Sequence, residues 1–278
     1  MARPLRIQFE NALYHVTSRG NEKGEIFLED RDRYVLLKLL KQVVERYEWV
    51  ISAYCFMGNH YHLLVRTPNA NLSIGMRQLN GVYAQYFNKQ HERVGHLFQG
   101  RFSAILIKDE ERLLTVARYI VLNPMRAGLV SNPADWRWSS YRCTAGIAGK
   151  SSIFDPDQIL CFFSNKRGSA CQQYINFVKE GIGGGSPLAD ARGGILAGEE
   201  ELLELSIARL TGEIGDEVPG RERFADRPDL EKLFADNERD IGIYKAFCKY
   251  GYKLREIGEF LGLHYSIVSR IANRIDSD

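Results

Sequence analysis

Residues 49–66 read Trp-Val-Ile-Ser-Ala-Tyr-Cys-Phe-Met-Gly-Asn-His-Tyr-His-Leu-Leu-Val-Arg. Two runs rich in β-branched and aromatic residues flank Met57-Gly58-Asn59, which carries turn chemistry. The stretch predicts a hairpin, and a hairpin commits the chain to antiparallel pairing. Strand side chains alternate faces with period two, so His60 and His62 share one face while Tyr61 and Leu63 take the other. Two imidazoles side by side on a rigid face can share a divalent metal. Taken singly, the pattern also has a plainer reading as an ordinary pair of half-buried histidines.

The surrounding periodicities fill in the fold. Residues 12–18 predict a first strand. Asp30 caps a helix running to about Tyr47, with Tyr34, Leu37, Leu40, Val43, Val44 and Tyr47 at helical spacing. A second helix spans about 72–90 on the stripe Leu72, Met76, Leu79, Tyr83, Tyr86 and Phe87. Residues 98–108 predict another strand. Asp109 then caps a third helix, which should stop near Asn123 because Pro124 disfavours helical backbone before it. Hairpins with interspersed helices predict an α+β domain: an antiparallel sheet covered by helices on one face. After about residue 145 the pattern weakens to a helix near 170–180, a glycine-rich linker over 181–198, a helix over 199–210, a polar stretch over 211–228 and a helical group over 229–275.

Composition narrows the class of function. The five cysteines (55, 143, 161, 171 and 248) form no C-x-x-C pair, which excludes a disulfide framework and a cysteine zinc site and points to a reducing, cytoplasmic setting. No apolar run is long enough to cross a bilayer, and no signal-peptide core follows the first residues, so neither a membrane partner nor secretion is expected. Residues 1–150 hold 21 Lys+Arg against 13 Asp+Glu, whereas 151–278 hold 16 against 22. The basic first half suggests a polyanionic partner.

The third helix holds Tyr119 and Asn123, four residues apart and so on one face. Opposite two strand histidines they make a chemical set. His60 and His62 would supply two nitrogens to a metal, Asn123 an oxygen, and Tyr119 a nucleophile. A tyrosine is weak at neutral pH, with an ordinary pKa of about 10, and a metal that polarises a phosphate offsets the weakness. Mg²⁺ or Mn²⁺ suits such a donor set. Arg19, Arg66, Arg77, Arg101, Lys108, Arg118 and Arg126 are candidate phosphate contacts. Tyr83, Tyr86, Phe98, Trp136 and Trp138 are either base-stacking platforms or packing residues, and His15 lies either near the site or in the core.

Four blocks carry a resemblance: residues 14–21 (Tyr-His-Val-Thr-Ser-Arg-Gly-Asn), 57–64 (Met-Gly-Asn-His-Tyr-His-Leu-Leu), 97–102 (Leu-Phe-Gln-Gly-Arg-Phe) and 119–130 (Tyr-Ile-Val-Leu-Asn-Pro-Met-Arg-Ala-Gly-Leu-Val). In this order, over about residues 5–145, they resemble the single-tyrosine HUH transposases of the IS200-like superfamily, and most closely the REP-associated tyrosine transposases. The resemblance implies a ferredoxin-like core with the histidine pair on a central strand. It implies that Tyr119 cleaves single-stranded DNA near a hairpin, keeping the 5′ phosphate and releasing a 3′ hydroxyl, with His60, His62 and Asn123 as metal ligands. One departure is Gly58, where the family most often has proline.

Residues 253–271 read as helix, glycine turn, helix, and resemble a DnaA-like helix-turn-helix. Tyr265, Ser266, Ser269, Arg270 and Asn273 would then face duplex DNA; the alternative is a helical hairpin that only packs. The expected organisation is a nuclease domain over 1–145, an accessory helix and linker over 146–198, and a helical DNA-binding domain over 199–278, with the helix-turn-helix at about 253–275. The expected activity is metal-dependent cleavage and joining of single-stranded or hairpin DNA in transposition. The rivals are a non-catalytic regulator on a decayed nuclease, and a metal phosphoesterase using water. Monomer and homodimer both remain open.

Overall fold

The computed structural model describes residues 8, 10–107, 110–149, 151–188, 191–192, 195–196, 228–250 and 252–274. Four strands build the sheet: β1 (Ala12–Arg19), β2 (Val50–Phe56), β3 (His60–Thr67) and β4 (Ser103–Ile107). They lie in the order β2-β3-β1-β4, each antiparallel to its neighbour. β3 and β1 are therefore the central strands. Two-residue strands β5 (Ala191–Arg192) and β6 (Ile195–Leu196) extend the β4 edge, with β6 parallel to β4. Part of the glycine-rich stretch is thus tied to the sheet by backbone pairing. The predicted helix over 199–210 and all but the last residue of the polar stretch over 211–228 lie outside the described residues.

Strand alternation sorts the core into two layers. Tyr14 and Val16, Tyr54 and Phe56, and Tyr61, Leu63 and Val65 face helices α1 (Asp30–Tyr47) and α2 (Leu72–Gln90). Leu13, Ala53, Cys55 and Leu64 face helix α3 (Glu110–Arg126). Behind α3 come the short helices α4 (Tyr141–Thr144) and α5 (Asp157–Leu160) and the longer α6 (Arg167–Glu180). The sheet is thus covered on both faces, where one covered face was expected. The second cover is α3 itself, whose apolar stripe lies on the sheet, and the segments after 140 pack behind it.

Two helix details also depart from expectation. In α1 the buried stripe is Leu36, Leu40, Val43 and Tyr47. Tyr34 lies outside it and packs edge-on against Trp138 instead. The helix is capped one residue earlier than expected, by Glu29 in a reciprocal box with Asp32. In α3 the helix runs through Pro124. Proline removes the N–H that would bond the Ile120 carbonyl. The Asn123 side chain replaces it, its Nδ2 donating to the Tyr119 and Ile120 carbonyls at 3.0 and 3.3 Å. The chain leaves the helix at Gly128, where φ is +69°.

The C-terminal helices are α7 (Leu230–Ala235), α8 (Arg239–Tyr244), α9 (Leu254–Leu261) and α10 (Tyr265–Arg274), with one π-helical stretch, Lys245–Lys249, after α8. They share a small core of Leu233, Ile243, Ala246, Ile257, Val268 and Ala272. Gly262 turns α9 into α10 with φ +65°, and a Cβ on Gly258 would fall 2.6 Å from the Leu263 carbonyl oxygen. Both glycines are required by the tightness of this turn. No helix among the described residues is long and apolar enough to cross a membrane.

Asn71 ties the C-terminal group to the sheet domain. Fully buried, it accepts from Trp49 Nε1 (2.8 Å) and donates to the carbonyls of Tyr47 (2.9 Å) and Cys248 (3.1 Å). Replacing Asn71 with Ala orphans three buried groups, each costing about 1–3 kcal/mol. Urea unfolding of Asn71→Ala should show a loss on the order of 3 kcal/mol against wild type.

Candidate active site

The histidine face of the sheet is the one that meets α3. His60 and His62 on β3, and His15 and Thr17 on β1, share that face, and the register sets Thr17 opposite His62 and Arg19 opposite His60. Tyr61, between the histidines, points into the other layer and is wholly buried. The turn before His60 is held by the preceding loop: Ile26 N–H donates to the Gly58 carbonyl, Gly20 N–H to the Asn59 carbonyl, and Asn59 Nδ2 to the Lys23 carbonyl. Glu25 lies against Gly58 so closely that a Cβ there would be 2.3 Å from its carboxylate. A side chain at this position would require the Glu25 side chain to swing away.

The rings converge. His60 and His62 sit edge to face with centroids 4.9 Å apart, and His15 and His62 stack at 5.1 Å. The Tyr119 ring of α3 lies 6.2 Å from both His15 and His62. His15 Nε2 is 2.9 Å from His62 Nδ1, and Thr17 Oγ1 is 3.2 Å from the same nitrogen. His60 Nδ1 is 2.6 Å from Asn59 Oδ1. His15 therefore belongs to the site and not merely to the core. Its signal in the sequence was its place in the 14–21 block, which left it either near the site or in the core.

Electrostatics keep the imidazoles neutral. Burial lowers His15 to about 4, and burial with help from Arg19 lowers His60 to about 4. His62 lies well below the ordinary value of 6.5, through burial first and its two histidine neighbours second. Neutral imidazole is the metal-ligating form. The Nε2 of His62 is buried with no hydrogen-bond partner among the described residues, so it has a lone pair to offer an ion. Asn123 sits one turn beyond Tyr119 with its amide nitrogen anchored on the helix, which leaves its oxygen available. The donor set thus fits a divalent metal. A second cluster, Glu29, Asp32 and His91, has ligand-type atoms close together. Asp32 is spent there, accepting from the Leu28 and Glu29 N–H groups, Tyr86 and His91, and it lies on the α1–α2 side of the sheet.

The expected basic residues divide by place. Arg126 lies over the Tyr119 ring at 4.7 Å and donates to the Gly184 and Gly185 carbonyls. Arg118 donates to the Phe177 carbonyl, and its aliphatic stem packs on Gly181. With Thr115, Tyr119 and Glu180 they line a cavity of about 360 Å³ closed by 181–187. Arg19 stands exposed beside His60, and Arg101 is exposed in the loop before β4. Arg66 lies at the far end of β3, bonded to the Asn11 carbonyl, and Arg77 is on α2, across the sheet from the site. Lys108 lies outside the described residues. Tyr83 and Phe98 are buried, Tyr86 is bonded to Asp32, and Trp136 and Trp138 pack, the former donating to the Phe56 carbonyl; all five are structural in this arrangement. On α10, Tyr265, Ser266 and Arg270 are exposed and Ser269 is half-buried, while the Asn273 side chain lies outside the described residues.

Residues 8–123 match the family model for IS200-like transposases. A curated relative from Haemophilus influenzae, named as a REP-associated tyrosine transposase, is 29% identical over 134 residues, covering 42% of this chain and 76% of its own length. Among solved structures, a REP-associated tyrosine transposase bound to a REP hairpin is similar at 18% identity and TM-score 0.46, over 56% of this chain and 94% of that one. A protein described as a transposase from Deinococcus radiodurans is similar at 19% identity and TM-score 0.31, over 43% and 95%. The sequence match spans the histidine strand, Tyr119 and Asn123, so residues 8–123 of this chain are similar to an IS200-like transposase domain.

Proposed function

We propose that the chain cleaves and rejoins single-stranded DNA at hairpins through a covalent bond to Tyr119. The observation that carries this reading is the packing of the Tyr119 ring, from α3, against His15 and His62 of the central strands. A decayed nuclease has no need to keep these groups together. His60, His62 and Asn123 would hold Mg²⁺ or Mn²⁺, and such an ion, when bound, draws negative charge from the phosphate oxygens.

The chain's own residues do the rest. Tyr119 Oη attacks the phosphorus, a bond forms from tyrosine to the 5′ phosphate, and the bond to the 3′ oxygen breaks. The phenolic proton is lost to solvent, and the leaving 3′ oxygen gains one to become a hydroxyl. Because the phosphodiester is kept as a phosphotyrosine ester, another 3′ hydroxyl can reverse the step without an external energy source. Arg126 stacks on the nucleophile's ring, and its bonds to the two glycine carbonyls hold it there, so it orients the ring and adds positive potential where phosphate must approach. Arg19 and Arg118 extend that potential along the strand's path.

The α9–Gly262–α10 unit supports a second contact, to duplex DNA. α10 presents Tyr265, Ser266 and Arg270 to solvent, and Arg46 Nη2 donates to the Ala272 carbonyl near its end, fixing its orientation to α1.

Incubation with a hairpin oligonucleotide flanking the gene, with Mn²⁺ or Mg²⁺, should give a denaturant-resistant protein–DNA band for wild type and none for Tyr119→Phe. Cleavage surviving in Tyr119→Phe would assign the reaction to water and overturn the covalent route. Arg270→Ala should weaken duplex binding and reduce the salt dependence of log K by about one ion's worth, read by fluorescence anisotropy over a salt series. Burial of the histidines also sets an acid response. Their folded pKa values are lowered from 6.5, so stability is complete above that value and is lost as pH falls towards about 4, where the unfolded chain takes up protons that the fold excludes. The melting temperature should fall over this window, and less steeply in His15→Gln.

A further inference from the structure

We propose that His15 is a positioning residue for the metal pair: its Nε2 accepts the Nδ1–H of His62 and so leaves the Nε2 lone pair of His62 directed at the site. The inference rests on the metal reading above. A neutral imidazole carries one proton, on either nitrogen. His62 Nδ1 has two neighbours that can accept it, His15 Nε2 at 2.9 Å and Thr17 Oγ1 at 3.2 Å. His62 Nε2 has none among the described residues. A proton on Nε2 would be a buried donor without an acceptor. A proton on Nδ1 meets His15 and Thr17, the partners among the described residues, and turns Nε2 into a ligand atom.

His60 shows the same arrangement with a different partner. Asn59 Nδ2 is anchored on the Lys23 carbonyl at 2.9 Å, so its Oδ1 is the atom facing His60 Nδ1 at 2.6 Å. That places the His60 proton on Nδ1 as well. Both histidines then offer Nε2, and each is held by an outer partner, which fixes ring orientation and raises ligand basicity. His15 suits the task because β1 is paired on both edges. Its ring is also stacked within 15° of parallel on His62, which leaves it little freedom to turn. The cost is visible: His15 Nδ1, which must then hold the proton, is itself buried without a partner among the described residues.

The test is Mn²⁺ binding to the full chain without DNA, by calorimetry or by electron paramagnetic resonance of the free ion. Wild type should bind and His62→Ala should not. His15→Phe keeps the ring and its burial but removes the acceptor, and should raise Kd about 10–100-fold. His15→Gln, whose amide oxygen reaches the position of Nε2, should recover most of the affinity. Circular dichroism melts establish that the variants are folded. Long-range ¹H–¹⁵N spectra of the wild-type histidines give a reading that no folding defect can confuse: His62 should carry its proton on Nδ1. Unchanged Mn²⁺ affinity in folded His15→Phe, or a proton on Nε2 of His62, overturns this inference while leaving the metal site intact. Mn²⁺ binding that ignores His62→Ala overturns the metal reading and this inference with it.

Discussion

The β1–β3 ladder is the constraint on which the rest depends. It pairs eight residues of each central strand, from Ala12 with Thr67 to Arg19 with His60. Because side chains alternate, this register puts every odd residue of β1 and every even residue of β3 on the α3 face. A slip of one residue would drive His60 and His62 into the layer now filled by Tyr61, Leu63 and Val65, and would expose those apolar groups. The hydrophobic effect that fills the α1–α2 layer thus also aims the histidines. Packing and chemistry share one register, so the site cannot be misaligned without breaking the core.

The α3 side follows from the same logic in helical form. Val116, Ala117, Ile120 and Val121 bury one stripe against the sheet, and that stripe sets the Tyr119 ring beside His15 and His62, with Asn123 one turn on. Pro124, which ought to end the helix, is accommodated because Asn123 supplies the missing donor. The residue proposed to hold a metal through its oxygen is thus fixed by its nitrogen, and the helix gains another turn that carries Arg126 over the Tyr119 ring.

Beyond residue 140 the chain acts as a frame. α6 backs α3, and the glycines after it close the cavity beside Tyr119 and hold Arg126 by two carbonyls. Glycine is suited to this because backbone must come close to the arginine stems: a Cβ on Gly181 would meet Arg118 at 2.5 Å. The C-terminal helices dock through Asn71 and Arg46 on the opposite, α1–α2, side. The hairpin-cleaving and duplex-reading roles proposed for the chain thus belong to different sides of one sheet.

The elements that repeat with a simple period were legible in the sequence. The hairpin, α1, α2 and the α9–α10 turn lie where the period-two and helical patterns put them, because those patterns are local consequences of backbone geometry. His60, His62, Tyr119 and Asn123 were expected as a set from spacing and block order, and the structure brings the Tyr119 ring beside His62; their joint role is a proposal. Other features were decided only by the tertiary structure. His15 joined the site because β1 lies between β3 and β4, which no local pattern encodes. Tyr34 left the core for Trp138, and the aromatic candidates for base stacking proved to be packing, because burial depends on what arrives from elsewhere in the chain. The second covered face came from α3, whose period was legible but whose choice of sheet face depends on how the chain crosses the sheet. Local sequence sets backbone period and side-chain chemistry, whereas hydrogen-bond partners, proton positions and burial are properties of pairs, and pairs exist only once the chain has folded.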